Sequence, residues 1–137
     1  MHAHSGKLRV SINMRFVALL PVKPSSVLSS YACIEYFISE FGRKNVIVGL
    51  NEDDALGRDE CQRHQVAFVC AECSEPFLIC ALWMSMAETA YSKGADVVAL
   101  FGDDVELHNV TSLLREIAST YAEGYKCIAI KETNHPS

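Results

Sequence analysis

Apolar residues recur along this chain in two rhythms, and the alternation between them predicts its elements. Residues 16–20, Phe-Val-Ala-Leu-Leu, form an unbroken apolar run closed by Pro21 and Pro24, as a strand buried on both faces reads. A helical period follows: Val27, Tyr31, Ile34, Ile38 and Phe41 share one face, with Ser25 or Ser26 as N-cap and Gly42 past the end. The same unit recurs twice. One helix carries Phe77, Cys80, Met84, Ala87 and Tyr91 behind Ser74 and Pro76, and ends before Gly94; the next carries Val110, Leu113, Leu114, Ile117 and Tyr121 behind Asn109, and ends before Gly124. Apolar strands at 45–50, 95–101 and 125–130 follow the three glycines, and residues 65–70 supply one more strand after a loop.

Continuously apolar strands separated by helices predict an α/β fold: a three-layer α/β/α arrangement around a mostly parallel, Rossmann-like sheet with right-handed crossovers. No linker interrupts the pattern. The expected organisation is an N-terminal arm over 1–14, one domain over 15–132 and a tail over 133–137.

Composition narrows the function. With 137 residues, 50% of them apolar and 21% charged, the chain is one ordinary domain and not a disordered segment. A net charge of −5 argues against nucleic-acid binding through phosphate contacts, and it implies that an anionic ligand needs a metal or backbone amides. No apolar run reaches the ~20 residues of a membrane helix, and the polar, basic start does not read as a secretory signal. A reducing, cytoplasmic setting is expected, with Cys33, Cys80 and Cys127 acting as small hydrophobes inside apolar segments.

In open α/β sheets ligands sit beyond the carboxyl ends of the strands. Three loops qualify: Pro21, Val22 and Lys23 with the serines after them; Asn51, Glu52, Asp53 and Asp54; and Gly102, Asp103, Asp104 and Glu106. The first has no glycine-rich phosphate loop and no acidic pair, so classical dinucleotide, P-loop and receiver chemistry are excluded. The acidic turn at Asp103 and Asp104 suits a hard cation such as Mg²⁺ or Mn²⁺ carrying a diphosphate. Two like charges ~4 Å apart repel by about 4 kcal/mol at an effective dielectric of 20, so carboxylates and diphosphate share a site only through the cation. Solvated turn residues are the simpler alternative there. At Asn51–Asp54 a ribose or base contact stands against a polar loop leading to Gly57 and Arg58. His108 is a minor ligand candidate.

Cys61-x-x-His64 and Cys70-x-x-Cys73 have the pairwise spacing of zinc ligands. The strand-like residues between them would hold the pairs ~16 Å apart, so no zinc is expected.

From Arg15 to about Ile130 the order resembles the nucleotide-binding half of GT-A fold glycosyltransferases. The segments that carry it are 16–23, 46–54 and 95–107, the last with Gly102-Asp103-Asp104 where that family has its Asp-x-Asp motif. The resemblance implies sugar transfer from a nucleoside diphosphate sugar to an unknown acceptor. Pro21, Val22 and Lys23 would lie under the nucleotide, Asn51, Glu52 and Asp53 near base and ribose, Asp104 on Mn²⁺ or Mg²⁺, and Asp103 beside it or on the ribose. Glycine replaces the first acidic residue. The family's acceptor half would lie beyond these residues, and the sequence offers no general base. A noncatalytic nucleotide-binding or interaction module, and a sugar nucleotidyltransferase-like protein, remain alternatives, and a homo-oligomer is compatible with either.

Overall fold

Among the described residues four apolar runs become strands, and the central two are buried along their whole length between layers of helix. The computed structural model describes residues 14–72 and 79–123. The expected cap at Ser74 and Pro76, Phe77, Cys73, the strand over 125–130, the tail and most of the arm lie outside the described residues. The chain divides after His108: Met14–His108 is one unit, and Asn109 begins another.

In the first unit the order is β1 (Phe16–Pro21), α1 (Ala32–Phe41), β2 (Val46–Asn51), α2 (Ala55–His64), β3 (Ala67–Ala71), α3 (Ile79–Ser92) and β4 (Val97–Leu100), with short 3₁₀ turns before and after α1. The second unit contributes α4 (Val110–Ala122), capped by the Asn109 side chain, which accepts from Ser112 N. The four strands are all parallel in the order β3-β2-β1-β4, with Ala18 opposite Val46, Ile47 opposite Ala67 and Phe16 opposite Val97. This is an α/β, Rossmann-like sheet, as expected. Among the described residues no helix is long and apolar enough to cross a membrane.

Strand order dictates the layers. The path steps outward from β1 to β2 to β3 and then jumps back across to β4, so right-handed crossovers put α1 and α2 on one face and α3 on the other. Alternate side chains follow suit. Val17, Leu19 and Ile47 pack with Leu82, Met86 and Ala90 of α3. On the opposite face Phe37 and Phe41 of α1 meet Phe101 with ring centroids 5.3 and 5.5 Å away, and Phe16 lies 5.4 Å from Phe41.

Three sequence expectations change. The stretch after β2, read as a loop, contains α2, a helix with almost no apolar stripe. In α3 the buried positions are Leu82, Met86 and Ala90; of the expected stripe Ala87 packs partly buried against this core, whereas Met84 is 67% exposed and Tyr91 52%. At α1 the helix starts later than the serines, because Leu28–Tyr31 is a 3₁₀ turn, Val27 is exposed, and Ser25 Oγ accepts from Val27 N in a local turn instead of capping a helix.

Candidate functional site at the carboxyl edge

Parallel pairing brings the ends of β1, β2 and β4 to one edge. At a strand spacing of ~4.8 Å, β2 and β4 flank β1 about 10 Å apart. The order reverses between β1 and β4, the kind of switch point at which open α/β sheets bind ligands. Val22 N donates to Gly49 O at 2.9 Å and Phe101 N to Leu19 O at 3.0 Å, extending the ladder to the last residue before each loop.

Two cross-loop contacts hold the edge. Lys23 N donates to Asp103 Oδ2 at 3.4 Å, joining the loop after β1 to the acidic turn. Tyr31 joins the loop after β1 to the loop after β2. Its hydroxyl lies 2.8 and 2.9 Å from the two carboxylate oxygens of Asp54 and takes a hydrogen bond from Ser25 N at 3.0 Å. Burial, with help from the Asp54 carboxylate, pushes the Tyr31 phenol up to about 12, against a bond to Ser25 that pulls it down. Asp54 also accepts from Gly57 N at 2.9 Å, capping α2. Sequence reasoning had Tyr31 as a core residue and Asp54 as an open loop carboxylate; the only signal of the cap was an aspartate three residues before a glycine.

The candidate residues therefore separate by exposure. Pro21 and Val22 are buried and present backbone only, whereas Lys23 is exposed. Asn51 is buried with its side-chain amide donating to Asp53, and Asp54 is committed to structure, leaving Glu52 and Asp53 as the exposed carboxylates of this loop. Asp103 and Asp104 are both exposed, and a Cβ at Gly102 would sit 3.1 Å from Asp104 Oδ1. The turn is anchored downstream where Leu107 N donates to the Tyr36 hydroxyl at 2.7 Å. His108 is exposed beyond it.

No set of three His, Cys, Asp or Glu side chains converges among the described residues. Asp103 and Asp104 still fit a cation of the magnesium type, which is held by one or two carboxylates together with substrate phosphates and water. Cys61, His64 and Cys70 do not come together as a ligand set; His64 instead lies 3.8 Å from Glu60, which Arg63 grips at 2.8 Å, and Cys73 falls outside the described residues.

Burial pushes the Cys61 thiol up to about 12, and burial followed by the charge of Asp103 pushes Cys33 up to about 11. Only the thiolate attacks an alkylating agent. Iodoacetamide at neutral pH, read by peptide mass, should therefore modify exposed Cys70 well before Cys33 or Cys61. Labelling of Cys61 as fast as Cys70 would show that α2 does not bury it.

Compared with known protein families, curated proteins and solved structures, the chain matches none.

Proposed function

We propose that the carboxyl edge binds a nucleoside diphosphate sugar together with Mn²⁺ or Mg²⁺, as the donor-binding domain of a GT-A-like glycosyltransferase. The supporting observation is the Lys23 to Asp103 contact at the point where strand order reverses. It holds an exposed acidic turn against the loop that would underlie the nucleotide.

Each loop has a separate task in this reading. Glu52 and Asp53 face the base and ribose, Asp103 is steadied by the Lys23 amide, and Asp104 offers a free carboxylate to the cation. The bound cation would neutralise the diphosphate and let it approach the two aspartates. Transfer needs an acceptor site in addition, so the activity assigned to these residues is donor binding. The glycine at position 102 favours a second reading, a noncatalytic nucleotide-binding module, because it removes one carboxylate from the turn.

Calorimetric titration with uridine and guanosine diphosphates tests the site. Binding should be appreciable only with Mn²⁺ or Mg²⁺, and Asp104→Asn should weaken it by about 1 to 3 kcal/mol, the worth of a charged hydrogen bond. Glu106→Gln should matter less, since it lies two residues farther along the turn. Metal-independent binding untouched by Asp104→Asn would remove the support for this site.

A further inference from the structure

The amino edge of the sheet carries the opposite charge. A cation stands shortly before each of β1, β2 and β4: Arg15, Arg43 with Lys44, and Lys93. Parallel strands bring these positions together, and the four residues line a half-open pocket of about 320 Å³. Its apolar lining comes from Val17, Val46, Ile47 and Ala90. Sequence reading missed this pocket because the cations are far apart in the chain; the signal was their recurrence just ahead of the strands.

Two of the four are fixed and two are available. Arg43 Nε donates to His64 O at 2.8 Å and an Arg15 guanidinium nitrogen to Lys44 O at 3.5 Å. Lys44 and Lys93 are exposed. Among the described residues the ion pairs are those of Glu60 with Arg63 and His64, so none of the four pocket cations has a carboxylate partner. Asp96, at the same edge, accepts the backbone N–H of Arg15 at 2.8 Å.

Helix ends explain part of this charge. The C-termini of α1, α2 and α3 reach this edge, and three such ends carry about 1.5 negative charges together. Even with the carboxylate of Asp96 added, the four cations keep a surplus of about 1.5 positive charges. A positive surplus over an apolar floor, in a chain whose net charge is −5, makes a local potential that attracts an anion. The cavity is at the small end of the range for small-molecule sites, ~300–1,000 Å³, which fits one compact molecule.

We propose that this amino-edge pocket binds a small phosphorylated molecule, with its phosphates on Arg15, Arg43, Lys44 and Lys93 and its uncharged body on the apolar floor. No metal is needed, because the protein supplies the positive charge itself. The site is independent of the acidic turn at the other edge.

Inorganic pyrophosphate titrated into the full chain in the presence of EDTA tests this, since chelation silences any metal-dependent site at the carboxyl edge. Binding should be saturable, weaken as salt rises, and shift the amide resonances of Val17, Ile47 and Ala90. The double substitution Lys44→Ala, Lys93→Ala should weaken it about tenfold or more, the effect of losing one or two charged hydrogen bonds. Arg58→Ala, which removes a cation of the same unit outside the pocket lining, should leave it unchanged. Absence of saturable binding, equal binding by the double variant, or amide shifts at Asn51–Asp54 instead would overturn the proposal. The resonance shifts are read on the unsubstituted chain, so misfolding of the variant would not spare it. A failure here leaves the metal-dependent nucleotide reading standing, and the reverse holds.

Discussion

Asp54→Ala is expected to destabilise the Met14–His108 unit by about 3 kcal/mol. Two losses combine. Removing an N-cap costs ~1 kcal/mol, and removing a hydrogen bond to a charged group costs about 1.5 to 3 kcal/mol. Asp54 is only 6% exposed, so its loss leaves the Gly57 N–H without its side-chain acceptor and the Tyr31 hydroxyl with only Ser25 O, at 3.2 Å. Asp54→Asn keeps an oxygen for the cap and should cost less. Tyr31→Phe removes the hydroxyl and keeps the cap, and it too should cost less than Asp54→Ala. Urea unfolding measures all three, and a cost below ~0.5 kcal/mol for Asp54→Ala would mean that this network does not hold the edge.

The same variant has a spectroscopic signature. Burial is the larger cause of the raised Tyr31 phenol, so losing Asp54 should lower its titration from about 12 without returning it to the ordinary value of 10.0. The sign for stability follows. A folded pKa above the unfolded one favours the folded state fully below pH ~10, and this contribution fades as pH rises toward 12. The stability gap between the unsubstituted chain and Tyr31→Phe should therefore narrow over that alkaline range.

What the sequence made legible was whatever depends on local apolar pattern. The strands stand out as unbroken apolar runs, of which the central β1 and β2 are buried throughout, and their alternation with helices was enough to expect a parallel sheet with the loops at Pro21, Asn51 and Asp103 on one edge. Helix α2 was not legible. It packs through Gly57 and Cys61 and buries Glu60, so no hydrophobic period announces it, and its start is set by a cap to which a residue from another loop is bonded. Helix α3 failed in the opposite way. Residues 81–87, Ala-Leu-Trp-Met-Ser-Met-Ala, are apolar nearly all round, so several stripes fit equally well. The phase is chosen by what the sheet offers, and that depends on a residue over thirty positions away. The candidate site divides similarly: strand ends were predictable from topology, whereas the bonds of Lys23 to Asp103 and of Tyr31 to Asp54 join residues that no spacing rule connects.

The residue that chooses the phase of α3 is Gly49, and Gly49→Val should cost about 3 kcal/mol, the upper end of the usual range for overpacking. A Cβ at this position would lie 2.9 Å from Leu82 Cγ and still closer to Met86 Sδ. Valine adds two more carbons to that overlap. The methionine end can swing aside, but Leu82 branches at the point of contact and is fully buried, so α3 itself must move off the sheet. Gly49→Ala should cost less, because one methyl leaves the methionine room to absorb part of the strain. The cause is testable by relief. Met86→Ala alone opens a cavity and destabilises, yet combined with Gly49→Val the cost should fall short of the sum by more than ~0.5 kcal/mol, the coupling expected of touching residues. Strict additivity, or a Gly49→Val chain as stable as the original, would mean that α3 does not rest on β2 at Leu82 and Met86. Gly49 O also accepts from Val22 N, so a displaced β2 would loosen the loop that starts at Lys23. The proposed metal-dependent nucleotide binding should then weaken in Gly49→Val although the substitution lies outside the acidic turn.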